Sequence, residues 1–410
     1  MIDTRIHAKL QELESRHLYR RLQLGAGVSF VDNDYLGLAT HPRLLEAGKR
    51  ALDLYGAGSK GSRLLGGHSR LFEKVEESVA DFFGSPAALL FSTGYLANLA
   101  AVGALSEVCE GIFSDEKNHA SLIDAIRLSK LPRTIVPHLE WDHAIAPKGT
   151  LFVTESLFSM DGDLAPLRAM IEAAEASSGF ALIDEAHAAG VFGETGEGLL
   201  PRNSPWNALA KVVTFGKAFG IGGAAICGSR RFIDFVLNRA RPFVFTTAPP
   251  PVVVAMIGEA VDVVREEGWR REELRDRARF VRKKWESLPR APLPKPKSEA
   301  EWESPIIPFR VSGASRVLRF CENVRESGLE LKAIRSPTVA EERSACAFRS
   351  IYALAETIRK RWRKPWGTYG RNFCYRNRHR NRKTTVSAGL LKLLYGYKRW
   401  LTGSPSKPAR

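Results

Sequence analysis

The sequence lacks most of what would place it outside a reducing cell interior. Its five cysteines, Cys109, Cys227, Cys321, Cys346 and Cys374, are odd in number, far apart and free of any C-x-x-C pair, so no disulfide framework, zinc ribbon or other metal site can be read from them. No apolar run approaches the roughly 18 residues of a membrane helix. The opening MIDTRIHAKLQELESRHLYRRLQL carries charges every few residues where an export signal has an apolar centre. A cytoplasmic protein without a membrane partner is the expectation. Acidic residues are scarce in one region only: residues 331–410 hold 20 Lys and Arg against 3 Glu and no Asp, a net of +17, while residues 1–330 hold 41 basic and 42 acidic side chains. The overall +16 therefore belongs to the tail, and the body carries no charge signal for nucleic acid.

What is present is a chain of 410 residues, 44% hydrophobic, enough for one large or two ordinary domains. Apolar runs alternate with amphipathic stretches over the first 330 residues, the pattern of an α/β protein with a mostly parallel sheet. Expected strands are residues 88–94, 149–156, 179–187 and 211–220; expected helices include 42–55, 69–83 and one long charged stretch from about 250 to 287. The Pro-rich PRAPLPKPKS at 289–298 breaks the chain. In open α/β sheets ligands bind at the carboxyl ends of strands. By position alone this makes Ser92, Thr93, Glu155, Ser156, Asp184, His187, Thr214 and Lys217 candidates.

The individual motifs have ordinary readings too. Gly56, Gly58 and Gly61 have the G-x-G-x-x-G spacing of a dinucleotide-binding turn, but a helical stretch precedes them where that motif needs a strand; a flexible loop is the reading. Asp184 in FALIDEAH could be a helix cap or salt-bridge partner. Lys217 in VVTFGKAFG could be a surface lysine beside a turn, or an amine of depressed pKa that condenses with a carbonyl. Together, a strand-end Asp, a strand-end Lys 33 residues later, an upstream Ser-Thr-Gly turn and a His suit pyridoxal phosphate. That cofactor needs an acid for its ring nitrogen, a lysine for its aldehyde, and amides and hydroxyls for its phosphate.

The segments NDYLGL (33–38), GSRLLGG (61–67), FSTGYLAN (91–98), NHASLIDA (118–125), TESLFSMDGD (154–163), DEAHAAGVFG (184–193), TFGKAFG (214–220) and AIRSPTV (333–339) resemble, in order and spacing, the α-oxoamine synthase family of pyridoxal-phosphate enzymes. The resemblance covers residues 1 to about 340. It implies a type I pyridoxal-phosphate transferase fold: an N-terminal arm (1–39), a large mostly parallel-sheet domain (40–250) and a smaller α+β domain (251–340), followed by an atypical tail (341–410). It also implies site roles. Lys217 would bind the cofactor and act as the base, Asp184 would pair with the ring nitrogen, His119 would stack on the ring and His187 would bond its phenolic oxygen. Gly94 and Tyr95 would offer amides to the phosphate at a helix N-terminus, with Ser159, Thr214 and, across a homodimer interface, Thr247 adding contacts. Arg20, Asn33 and Thr338 would face the substrates. The implied reaction is a decarboxylative condensation of an amino acid with an acyl thioester carried on coenzyme A or a carrier protein.

After Val339 the family pattern stops, and residues 341–410 resemble nothing as written. Read in shifted frames, 341–351 permit G-T-E-R-L-R-I-S-I, which the family expects there. Residues 371–383 permit G-T-F-V-T-G-T-D-T-G-I-G-K, joining the in-frame KTTVSAGLLKLLYGYK into a P-loop that resembles the start of a dethiobiotin synthetase. On that reading the tail's charge is an accident of frame, and the small domain would lack its last strand and helix. A neighbour of that kind selects L-alanine and a pimeloyl thioester as substrates. The alternatives are a glycine C-acetyltransferase or 5-aminolevulinate synthase type, or an inactive core with a basic nucleic-acid-binding arm.

Overall fold

The structure, a computed structural model, describes residues 1–25, 28–141, 145–286, 296–310, 313–326, 328–335 and 345–348. Thr338 and the tail from residue 349 lie outside the described residues. In chain order the elements are α1 (Ile2–Ser15), β1 (Val28–Ser29), α2 (Pro42–Tyr55), α3 (Arg70–Phe83), β2 (Ala87–Phe91), α4 (Gly94–Leu105), β3 (Gly111–Asp115), α5 (Ala120–Ser129), β4 (Arg133–Val136), β5 (Thr150–Glu155), α6 (Leu167–Ala176), β6 (Phe180–Asp184), β7 (Leu209–Thr214), β8 (Ala224–Gly228), α7 (Arg230–Arg239), α8 (Arg241–Val244), α9 (Pro251–Glu266), α10 (Trp269–Glu286), α11 (Glu299–Glu303), β9 (Ile307–Arg310), α12 (Ala314–Glu326), β10 (Leu329–Glu330), β11 (Ala333–Ile334) and β12 (Ala345–Phe348).

Two compact units result. One comprises residues 33–276 and 296–304; the other comprises the described residues of 1–32, 277–295 and the chain from 305 on. The larger unit holds a seven-stranded sheet in the order β2-β8-β7-β6-β5-β3-β4. Only β8 runs against its neighbours, pairing antiparallel with β2 and β7, while β7, β6, β5, β3 and β4 are parallel. All five residues of β2 and of β8 and all six of β5 are buried, as strands covered on both faces must be. Helix α4 packs into this core through Ala97, Ala100, Ala101 and Ala104, none of them exposed, whose small side chains let a helix lie close to the sheet. Its N-terminus is fixed by Thr93, whose hydroxyl accepts the Leu96 N–H at 3.2 Å.

The expected long helix from 250 is two. α9 ends at Glu266 and α10 begins at Trp269. The break leaves Glu267 to cap the turn, where its carboxylate accepts Arg270 at 2.6 Å and meets His41 at 3.3 Å. In the smaller unit β1 pairs parallel with β10, and β11-β12-β9 form an antiparallel sheet. Where the loss of the proper last strand was expected, β12 fills the centre of that sheet; the expected loss of the closing helix lies outside the described residues. Backbone pairing asks only for an extended chain with free N–H and C=O groups, and Ala345–Phe348 supplies both.

Candidate active site

Five strand ends of the larger unit open on the same edge of its sheet: β2 leads to Gly94 and Tyr95, β3 to His119, β5 to Glu155 and Ser159, β6 to Asp184 and His187, and β7 to Thr214 and Lys217. The structure thus brings together ten of the residues expected from sequence, counting Asn33, which reaches this cluster through Tyr35. Arg20 is exposed and belongs to the smaller unit; Thr247 is exposed after α8.

Asp184 is buried at 5% exposure. One oxygen accepts the Ala186 N–H at 2.8 Å, and the other accepts Asn98 Nδ2 at 2.7 Å. The same amide donates to Ser121 Oγ at 2.9 Å, which meets His119 Nδ1 at 2.8 Å. A continuous polar chain therefore links Asp184 to His119. His187 is buried, with Nδ1 2.8 Å from Tyr35 Oη, which in turn donates to Asn33 Oδ1 at 3.3 Å. Asn98 and Tyr35 were not singled out from sequence. The signal for Asn98 was present: it is the one polar side chain within the apolar body of α4 after its first turn.

Lys217 follows β7 in a turn whose aromatic residues face inward. Phe215 and Phe219 are fully buried, edge to face at 5.2 Å. Gly220 accepts the strain of this turn with φ +69°, and a Cβ there would collide with the Ala39 backbone. Thr214 Oγ1 donates to Gly223 O at 3.1 Å and accepts the Gly216 N–H at 3.3 Å. At the start of α4 the Tyr95 hydroxyl donates to Asp124, which raises the phenol pKa.

A second cluster lies along the same strand ends. His138 Nδ1 meets Asp115 Oδ1 at 2.8 Å and Nε2 meets Asp163 Oδ2 at 3.0 Å, while Lys117 Nζ meets Asp161 at 2.6 Å. Burial works against the imidazolium, but the two carboxylates push its pKa up to about 9. His138, Asp161 and Asp163 are close enough to share an ion, yet Lys117 and the charged imidazole already neutralise these carboxylates.

The donor set fits pyridoxal phosphate. Asn98 Oδ1 and Ser156 Oγ are buried without protein partners beside Asp184. A buried acid, a lysine in a sheltered turn and a helix N-terminus next to a threonine offer a cation site, an amine and a phosphate site on one sheet edge. Fold and site together define a pyridoxal-phosphate-dependent transferase of fold type I. The sequence pattern of the family described as aminotransferase class I and II matches residues 27–349. The chain belongs to that family and, within it, to the 8-amino-7-oxononanoate synthases. The enzyme of that name from Chromobacterium violaceum is 36% identical over 351 residues, 81% of this chain and 90% of that one. Its counterpart from Chromohalobacter salexigens is 40% identical over 320 residues, 76% and 81% of the two chains. Among solved structures, the fold matches a serine palmitoyltransferase from Sphingomonas wittichii (TM-score 0.77, 22% identity, 98% of both chains). It also matches 8-amino-7-oxononanoate synthase from Francisella tularensis (TM-score 0.70, 24% identity, 92% of this chain and 99% of that one). No helix among the described residues is long and apolar enough to cross a membrane.

Proposed function

We propose that the protein condenses L-alanine with a pimeloyl thioester. The three carbons of alanine and the seven of the acyl group, less the one lost as carbon dioxide, give the nine-carbon 8-amino-7-oxononanoate, and the thiol leaves. The observation that carries this reading is the convergence of Asp184, His119, His187 and Lys217 on one sheet edge, in a chain 36–40% identical to synthases of this name. Pyridoxal phosphate, when bound, supplies an aldehyde for the amino group and a ring that withdraws the electron pair left when the α-proton departs.

The chain's own residues do the rest. Asp184, held in place by two hydrogen bonds, keeps a proton on the ring nitrogen. The Lys217 amine would take the α-proton and return one to the product. His119 covers one ring face, fixed by Ser121 at 2.8 Å. Tyr35 at His187 Nδ1 fixes which ring nitrogen of His187 faces the phenolic oxygen. The Gly94 and Tyr95 amides, Ser159 and Thr214 hold the phosphate, joined by Thr247 of a second copy in a homodimer. Asn33 takes the amino-acid carboxylate and Arg20 the acyl chain, and Thr338 faces the substrates. The setting is cytoplasmic.

The test is reduction of the cofactor-loaded protein with borohydride, then peptide mass spectrometry, beside a product assay with pimeloyl-CoA and each of L-alanine, glycine and L-serine. Labelling at Lys217 with product from alanine alone supports the reading. Product from glycine or serine in preference to alanine overturns the substrate assignment. Absence of label at Lys217 overturns the site.

A further inference from the structure

Glu155 is the last residue of β5 and stands opposite Asp184 in the parallel register of β5 and β6. Parallel neighbours at one register level project to the same face, with strands about 4.8 Å apart. Two carboxyl groups thus lie side by side, exposed 3% and 5%. Two such charges cannot both persist in a poorly solvated site, so one group keeps its proton. Hydrogen bonding decides which. Asp184 accepts from Ala186 N and from Asn98 Nδ2, contacts that favour its ionised form. Glu155 accepts the His119 backbone N–H, and its own N–H is held by Asn118 Oδ1 at 3.1 Å. Asn118 in turn donates to Ser114 Oγ at 2.9 Å and Val153 O at 2.8 Å.

We infer that Glu155 is a positioning residue of this site, a carboxylic acid that keeps its proton beside Asp184 and so leaves Asp184 as the acid for the cofactor's ring nitrogen, while its carbonyl oxygen anchors the His119 turn. The inference rests on the cofactor site proposed above and is independent of the acyl substrate. The groups facing Glu155 are Asp184 on β6, Asp115 at the end of β3, Lys217 after β7 and the His119 turn; His138 lies beyond Asp115. Burial first, then Asp184, pushes the Glu155 pKa up to about 8, with Lys217 and the His119 N–H pulling the other way and Asp115 reinforcing the rise. Above that pH a second negative charge enters the site, and the Lys217 amine holds its proton more tightly.

The experiment is an infrared difference titration of the full-length apoprotein between pH 6.5 and 9.5. It is paired with the pH dependence of Lys217 modification by an amine reagent, read by mass spectrometry. The expected results are a protonated-carboxyl stretch in the wild type that disappears with a midpoint near 8, its loss in Glu155→Gln, and a Lys217 labelling curve displaced to lower pH in that variant. If Glu155→Gln does not fold, Asp184→Asn replaces it: with the neighbouring charge gone, the carboxyl midpoint should move down. A wild type without the band overturns the inference. So does a band that survives Glu155→Gln, a Lys217 curve that does not move, or, in the substitute variant, a midpoint unaffected by Asp184→Asn. None of these readouts uses pimeloyl thioester or turnover, so failure of the substrate assignment and failure of this inference are separable.

Discussion

His138→Gln separates the charge of the imidazole from its contacts. The ring sits between Asp115 at the end of β3 and Asp163 in the loop after β5, with side-chain exposures of 12%, 0% and 18%, too little solvent for the attraction to be screened away. Asp115 also accepts the backbone N–H groups of Lys117 at 2.8 Å and Leu139 at 3.0 Å. The cluster therefore ties together the turn that carries His119, the chain after β4 and the loop that carries Ser159. Raising a histidine from 6.5 to about 9 corresponds to about 3 kcal/mol of folding free energy. Because the folded pKa lies above the unfolded one, that stability is fully present below pH 6.5 and is lost as the pH rises through about 9. Urea unfolding of wild type and His138→Gln across pH 6 to 10 should show a stability gap larger at pH 6 than at pH 10 by about 3 kcal/mol. A gap independent of pH means that the imidazole is neutral in the folded protein, and the account of this cluster is then wrong.

Three further outcomes follow from the same packing. Lys211 and Glu185 form a fully buried pair at 3.0 Å, with Lys211 also donating to Glu197 O at 2.8 Å and lying 4.7 Å from the Phe83 ring centre. Lys211→Met should cost about 3–5 kcal/mol by leaving Glu185 uncompensated, and a denaturation midpoint close to the wild type's contradicts this. Asn98→Leu removes a 2.7 Å hydrogen bond to the Asp184 carboxylate, worth about 1.5–3 kcal/mol; equilibrium dialysis should show pyridoxal phosphate binding weakened by roughly ten- to a hundredfold, and unchanged affinity removes Asn98 from the site. Gly220→Ala forces a Cβ into the Ala39 backbone at positive φ; it should lower the thermal midpoint and slow borohydride-trapped labelling of Lys217, while normal labelling shows that the turn can relax.

The elements legible in the sequence were those whose apolar runs end in polar or glycine residues: β5 and β6 fall within the expected segments, and β2 and β7 overlap theirs, beginning one and two residues earlier. The three other strands of the same sheet were hidden for separate physical reasons. β4 is an edge strand with three of its four residues exposed, so no apolar run announces it. β3 alternates half-buried and buried residues over only five positions. β8, Ala224–Gly228, has a single branched aliphatic residue, Ile226. Its alanines are small because α4 crowds the centre of the sheet, so the packing that makes β8 a strand also erases the propensity that would reveal it.

The site divides along a similar line. Side chains whose chemistry is unusual for their place, a lysine among phenylalanines or an acid ending an apolar strand, stand out in sequence, and they gather at one edge because strand ends are where a parallel sheet presents side chains to a ligand. The groups that orient them do not stand out, since an Asn in a helix, a Ser in the first turn of another and a Tyr in a loop each have many ordinary uses. Their meaning comes from distance: Asn98 lies 86 positions from Asp184 in the chain, yet joins it to Ser121 and His119 in one chain of contacts between 2.7 and 2.9 Å. The acid and the ring-covering histidine are therefore held against each other rather than separately. A change at Ser121 should move His119 as surely as a change at His119 itself, and Ser121→Ala, which keeps the helix and removes only the link, should weaken cofactor binding in the same direction as Asn98→Leu. If Ser121→Ala binds pyridoxal phosphate as the wild type does, the two residues are placed independently, and the contact between them is incidental.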